Sequence, residues 1–150
     1  MARVLVACVG NVLRGDDGFG PAVAQRVGPL PDGARLVETG IGGVALLQEL
    51  LEGWDGLVLV DAVDRGASPG TLFVLQPQVE EAVHVPDVHL ANPERVLSMA
   101  KALRCLPPRV LIVGCQPAGD DELCEHLSPA VADAVDAAVA RIRETVSAWM

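Results

Sequence analysis

The chain has 150 residues, of which 51% are hydrophobic, and carries a formal net charge of -9 at pH 7. That length suits one domain with a single sizeable core, and apolar residues in short runs parted by Gly, Pro and Asp exclude a disordered chain. The acidic balance argues against nucleic acid and anionic membranes as partners, since both repel a negative surface.

No apolar run approaches the ~18 residues needed to cross a bilayer. The N-terminus enters a strand-like run almost at once, without a charged region, apolar segment and cleavage site in series. A cytoplasmic protein is expected. The four cysteines, Cys8, Cys105, Cys115 and Cys124, include no Cys-x-x-Cys pair, which disfavours a structural zinc site. Cys8 and Cys115 lie within apolar runs and read as buried, reduced thiols.

In chain order, Arg3 to Val9 reads as a first strand, apolar on both faces and therefore central. The glycine-rich stretch Gly10 to Gly20 follows, with Asp16 and Asp17 adjacent within it. Phe19, Ala22, Val23 and Val27 then fall at helical spacing, so a helix is expected over Gly18 to Val27. Pro29, Pro31 and Gly33 end it, and Arg35 to Glu38 makes a second strand. Gly40, Gly42 and Gly43 turn the chain into a helix whose apolar face is Val44, Leu47, Leu50 and Leu51.

Leu57 to Val60 is a third, fully apolar strand ended by Asp61, and Thr71 to Leu75 is a fourth. Residues 76 to 91 form a long aperiodic loop containing His84 and His89, a kind of segment that is often functional. Asn92-Pro93-Glu94 starts a helix with the apolar stripe Val96, Leu97, Ala100 and Leu103. Val110 to Val113 is a fifth strand ending at Gly114-Cys115-Gln116-Pro117. From Ser128-Pro129 to about Trp149, the positions Leu127, Val131, Val135, Ala138, Val139, Ile142 and Val146 keep a 3.6 period, as a long helix docked on a sheet would. Strands alternating with helices imply a three-layer α/β/α domain around a mostly parallel sheet. Such sheets bind ligands at the carboxyl ends of their strands, where the strand order reverses.

Three residues are candidates for chemistry there. Asp17 follows the first strand; its carboxylate would either cap the first helix or face a ligand. Asp16 reads as a cap or a solvated residue. Asp61, after four apolar residues, must be paired, hydrogen-bonded or metal-bound if buried. Asp64 reads as loop surface. His89 is a solvated histidine or a ligand, and His84 and His126 are weaker candidates, with no carboxylate-rich context that the fold reading places beside them. Two carboxylates and an imidazole would suit a divalent Mn, Fe, Ni or Zn ion with open positions. The phosphate-binding glycine spacings are absent, and no Gly-x-Ser-x-Gly elbow provides a serine nucleophile.

The run Val9-Gly10-Asn11-Val12-Leu13-Arg14-Gly15-Asp16-Asp17-Gly18-Phe19-Gly20 resembles the opening motif of the hydrogenase maturation endopeptidases, which remove a C-terminal extension from the large-subunit precursor of nickel-iron hydrogenases. Val60-Asp61-Ala62, Pro69-Gly70-Thr71, His89 before a Val-Leu pair, and Gly114-Cys115-Gln116-Pro117 extend the resemblance over nearly the whole chain. The resemblance implies a five-stranded, phosphorylase/hydrolase-like mixed sheet with strands one and three adjacent and strand four antiparallel. It also implies a metal site formed by Asp17, Asp61 and His89, serving both catalysis and metal binding, with Asp17 replaced by Glu in some family members. The metal implied is nickel carried by the precursor, or another divalent ion at the same site, and the implied partner is that precursor, met by a monomer. Two other classes stay open on the residues alone: a metal-dependent hydrolase of a small molecule, and a non-enzymatic flavodoxin-like ligand-binding module. An aromatic content of 3% offers few side chains to sandwich a flavin.

Overall fold

A computed structural model of the chain describes residues 2–41, 43–81, 93–119 and 125–150. Five strands are present: β1 (Val4–Val9), β2 (Ala34–Gly40), β3 (Gly56–Ala62), β4 (Leu72–Leu75) and β5 (Arg109–Cys115). Four α-helices accompany them: α1 (Phe19–Ala24), α2 (Gly43–Leu50), α3 (Pro93–Ala102) and α4 (Pro129–Trp149). The sheet order is β2-β1-β3-β5-β4, with β4 alone antiparallel, so the expected adjacency of strands one and three is observed.

Alternation of side chains along each strand divides the core in two. Val4, Val6 and Cys8 of β1, with Val58 and Val60 of β3, meet Phe19 and Val23 of α1 and Val131, Val135, Ala138, Ile142 and Val146 of α4. Leu5 and Ala7, with Leu57 and Leu59, meet Leu46 and Leu50 of α2 and Val96, Leu97 and Ala100 of α3. Both faces of β1 and β3 are therefore buried, which is why these strands read as continuous apolar runs. Cys8 and Cys115 are buried free thiols, and burial pushes the former up to about 12 and the latter up to about 11.

Several boundaries and faces differ from the sequence reading. The first helix is only Phe19–Ala24, preceded by a separate 3-10 turn at Gly15–Gly18 that carries Asp16 and Asp17. Strands β2, β3 and β5 each run past their expected ends, so Asp61 belongs to β3 itself. On α2 the buried stripe is Leu46 and Leu50 with Leu47 beside them, while Val44 and Leu51 are 54% and 58% exposed. That helix is apolar around most of its circumference, so periodicity alone could not choose the docked face. Leu103 lies one residue beyond α3 and is 53% exposed instead of extending its stripe.

β1 passes to β2 on one side, and the chain then returns to place β3 on the other side of β1. The strand order thus reverses at β1, and the crevice above the carboxyl ends of β1 and β3 is the topological switch point. Gly20 brings α1 down onto this crevice: a Cβ there would lie 2.2 Å from the carbonyl oxygen of Val9 and 3.0 Å from that of Val60. Among the described residues no helix is long and apolar enough to cross a membrane.

Candidate active site at the switch point

The turn after β1 is built from its own backbone. The N–H of Gly10 donates to the carbonyl of Gly40 at 3.0 Å, tying the exits of β1 and β2 together. Gly10 has φ 146°, and a Cβ there would lie 2.0 Å from the backbone carbonyl oxygen of Asp17. Only glycine lets the 3-10 turn fold back this tightly over the end of β1. The N–H of Arg14 then donates to Asn11 and that of Asp17 to Arg14, closing the turn.

The two adjacent aspartates take different roles. Asp16 is neither solvated nor a cap of the first helix; it is 7% exposed. Its carboxylate accepts from Ala118 N–H (2.8 Å), Ser128 N–H (2.6 Å) and the Ser128 hydroxyl (2.8 Å). It therefore joins the turn after β1 to the exit of β5 and to the N-terminus of α4. Charge-assisted bonds of this kind are roughly twice as strong as neutral ones. Asp17 caps no helix either: α1 has no side-chain cap, and the Asp17 carboxylate accepts from Asn11 N–H at 2.9 Å.

Asp61, next to last in β3 and paired in register with Gly114, is 7% exposed. Burial raises its pKa from 3.8 to about 7, the charge of Asp17 adds to the rise, and the N–H of Ala62 opposes it. Desolvation disfavours the anion, and a second carboxylate nearby disfavours it further. The structure thus brings Asp17 and Asp61 into one electrostatic environment at the switch point. His89, the third predicted residue, lies outside the described residues, as do His84, Asn92 and Cys124. Among the described residues no three His, Cys, Asp or Glu side chains group so as to hold a metal. The fit to a divalent ion therefore rests on the Asp17–Asp61 pair, hard oxygen donors with one of them held out of water.

Other polar groups brace the crevice. Gln116, after β5, is buried; its side-chain oxygen accepts from Arg65 N–H (2.7 Å) and Ala67 N–H (3.2 Å), and its amide nitrogen donates to Asp64 (2.8 Å). The bond from Gln116 holds the exposed Asp64 carboxyl below the usual carboxylate range. Gln116 thereby fixes the loop that follows Asp61. Its place at the end of an apolar strand was the only sequence signal for this role. The register shift between Cys8 and Val9 sets Thr39 aside from the ladder, and its buried hydroxyl has no partner among the described residues. His126 is exposed on the approach to α4.

Fold and site define an α/β protein with two acidic side chains at the switch point of a mostly parallel sheet. The family model for hydrogenase maturation proteases matches residues 24–145. The chain belongs to the hydrogenase maturation protease family, whose members are processing endopeptidases of hydrogenases. It is 35% identical to the hydrogenase expression/formation protein HupD of Rhodobacter capsulatus, over 98% of this chain and 72% of that one. It is 31% identical to a putative hydrogenase maturation protease of Methanocaldococcus jannaschii, over 91% of each. Among solved structures, the hydrogenase maturating endopeptidase HybD from E. coli superposes with a TM-score of 0.82 at 25% identity, covering 97% of this chain and 92% of that one.

Two outcomes follow from the site's construction. Asp16→Asn turns an N–H toward donors that need an acceptor, and should destabilise the protein by about 2–4 kcal/mol in urea unfolding; a change within about 0.5 kcal/mol, the scale of an ordinary surface substitution, would mean that the clamp carries no load. In the presence of a chelator, the stability that Asp61 contributes is complete below about pH 4 and is lost as pH rises through about 7, because the folded chain there holds a proton that the unfolded chain has released. Asp61→Asn should abolish that slope and be more stable than wild type at pH 8 by on the order of 4 kcal/mol. Parallel pH profiles for the two proteins would contradict it.

Proposed function

We propose that this chain removes a C-terminal extension from the large-subunit precursor of a nickel-iron hydrogenase, and that it recognises nickel already in the precursor through Asp17, Asp61 and His89. The observation that carries the reading is Asp61: a buried carboxylate at the switch point, its pKa raised in part by Asp17. A proton or a cation must compensate such a pair, and a divalent ion brought by the substrate would do so while drawing the scissile segment into the crevice. Nickel in that place would supply Lewis-acid polarisation and a coordination anchor.

The chain's own residues supply the rest. The N–H of Asn11 orients the Asp17 carboxylate. Burial in β3, and secondarily the neighbouring carboxylate, favour a proton on Asp61 until a cation displaces it. Gln116 keeps the loop beyond Asp61 in one arrangement. Asp17 and Asp61 enter as ligands on their placement, and His89 enters on the sequence resemblance. Coordination as the docking step makes nickel loading the check on the substrate, since a nickel-free precursor lacks the anchor. The enzyme family favours this reading over a flavodoxin-like binding module.

The direct assay uses the cognate precursor, with and without nickel. Wild type should release the C-terminal peptide only from the loaded form. Asp17→Asn, Asp61→Asn and His89→Ala should each lower the rate by roughly 10²-fold or more, the scale of losing a group that acts at the reacting centre. Fast cleavage of nickel-free precursor would refute nickel recognition, and wild-type rates in all three variants would refute the site.

A further inference from the structure

β2 is an edge of the sheet: it pairs with β1 alone, and its seven residues make it longer than β4, the other edge, which has four. The N–H of Val4 donates to the carbonyl of Gly33 at 3.0 Å. With Val4 in register with Ala34, this bond turns the N–H and C=O groups of Arg35 and Val37 toward β1. Those of Leu36 and Glu38 point outward and make no bond to any described residue. Proteins commonly guard such an edge with proline, with lysine or with a covering element. β2 contains neither proline nor lysine, and Arg35, its one cation, is held by Glu49 and Glu52. The edge also leads to the reacting centre. At its end the Gly40 carbonyl accepts from Gly10 N–H at 3.0 Å, and the next N–H, that of Asn11, donates to the Asp17 carboxylate at 2.9 Å. Ile41 and Val12, on the two turns joined by the first of these bonds, are 58% and 55% exposed.

We propose that the open edge of β2 takes an extended segment of the precursor polypeptide, next to the bond being cleaved, as an added strand. The edge offers main-chain donors and acceptors at alternate residues, and another extended main chain matches that spacing. A strand added there lies about 5 Å outside β2 and about 10 Å from β1. Roughly three extended residues at ~3.3 Å each cover that distance. The segment then crosses over Gly40 and brings the scissile bond to the turn that carries Asp17. The precursor is favoured over a second copy of this chain because the edge ends at that turn, where a substrate has to arrive. The inference rests on the reading of this chain as the protease of a protein precursor. It adds a main-chain subsite, and no side chain of the reacting centre takes part in it.

The test combines cleavage kinetics on nickel-loaded precursor with hydrogen exchange. Glu38→Pro removes one outward N–H, a change that an edge strand tolerates where that N–H faces solvent. It should raise KM about tenfold with kcat within about twofold of wild type, because a contact made equally in ground and transition states changes binding alone. Glu38→Ala keeps the N–H and should leave KM within about twofold of wild type. In wild type, the amides of Leu36 and Glu38 should exchange freely without precursor and slow by about tenfold or more when it is bound. An equal rise of KM in Glu38→Ala and Glu38→Pro, or amides that exchange as fast in the complex as in the free protein, overturns the added strand. A free protein that sediments as a dimer, and as a monomer once Glu38→Pro is made, overturns it too, by giving the edge to a second copy. Asp61→Asn, run alongside, reads the reacting centre independently: if it cleaves at the wild-type rate, the site assignment fails whatever the edge variants do.

Discussion

Three donors converge on the carboxylate of Asp16, and they come from parts of the chain more than a hundred residues further on. Through them the turn after β1 is fixed against the exit of β5 and the start of α4. The orientation of that turn decides where the next side chain, Asp17, points. Asp17 is held by its backbone against Gly10 and by the N–H of Asn11, and its charge acts on Asp61. One carboxylate is used up in making the frame, and its neighbour remains available because the frame is already made. The same bonds serve α4, whose N-cap residue Ser128 has no side-chain bond to its own helix and instead gives its N–H and hydroxyl to Asp16.

Against this frame, Asp61 is held at an electrostatic disadvantage. Burial in β3 removes the water that would stabilise its anion, and Asp17 adds a like charge. Folding keeps a destabilised group of this kind only where surrounding packing over-determines it, and such groups concentrate at functional sites. Here the surrounding packing is the apolar continuity of β1, β3 and β5, buried on both faces by two pairs of helices. The two acidic side chains at the switch point suit a substrate that brings positive charge to them, as a metal ion would.

Much of this architecture was legible in the sequence. Central strands announced themselves as unbroken apolar runs, and α4 kept its period over five turns because one face is buried along its whole length. Asp61 stood out because a carboxylate interrupts such a run only for a reason. What escaped notice depended on distant partners. Asp16 and Asp17 are indistinguishable by neighbourhood, and only the arrival of Ala118 and Ser128 separates them. Likewise Val44 and Leu51 keep helical spacing as well as Leu46 and Leu50 do, and the choice between those faces belongs to β1 and β3. Short elements such as the 3-10 turn carry too few residues to show a period at all.

The central claim is that Asp61 is desolvated at the switch point and that the charge of Asp17 acts on it there. Carboxyl-carbon NMR titration of Asp61 in metal-free protein tests it most directly, in wild type and in Asp17→Asn. The account predicts a midpoint near 7 in wild type, moving toward the ordinary carboxylate range when the Asp17 charge is removed, with burial holding it partly raised. A midpoint near 4 in wild type, or one indifferent to Asp17→Asn, would contradict it.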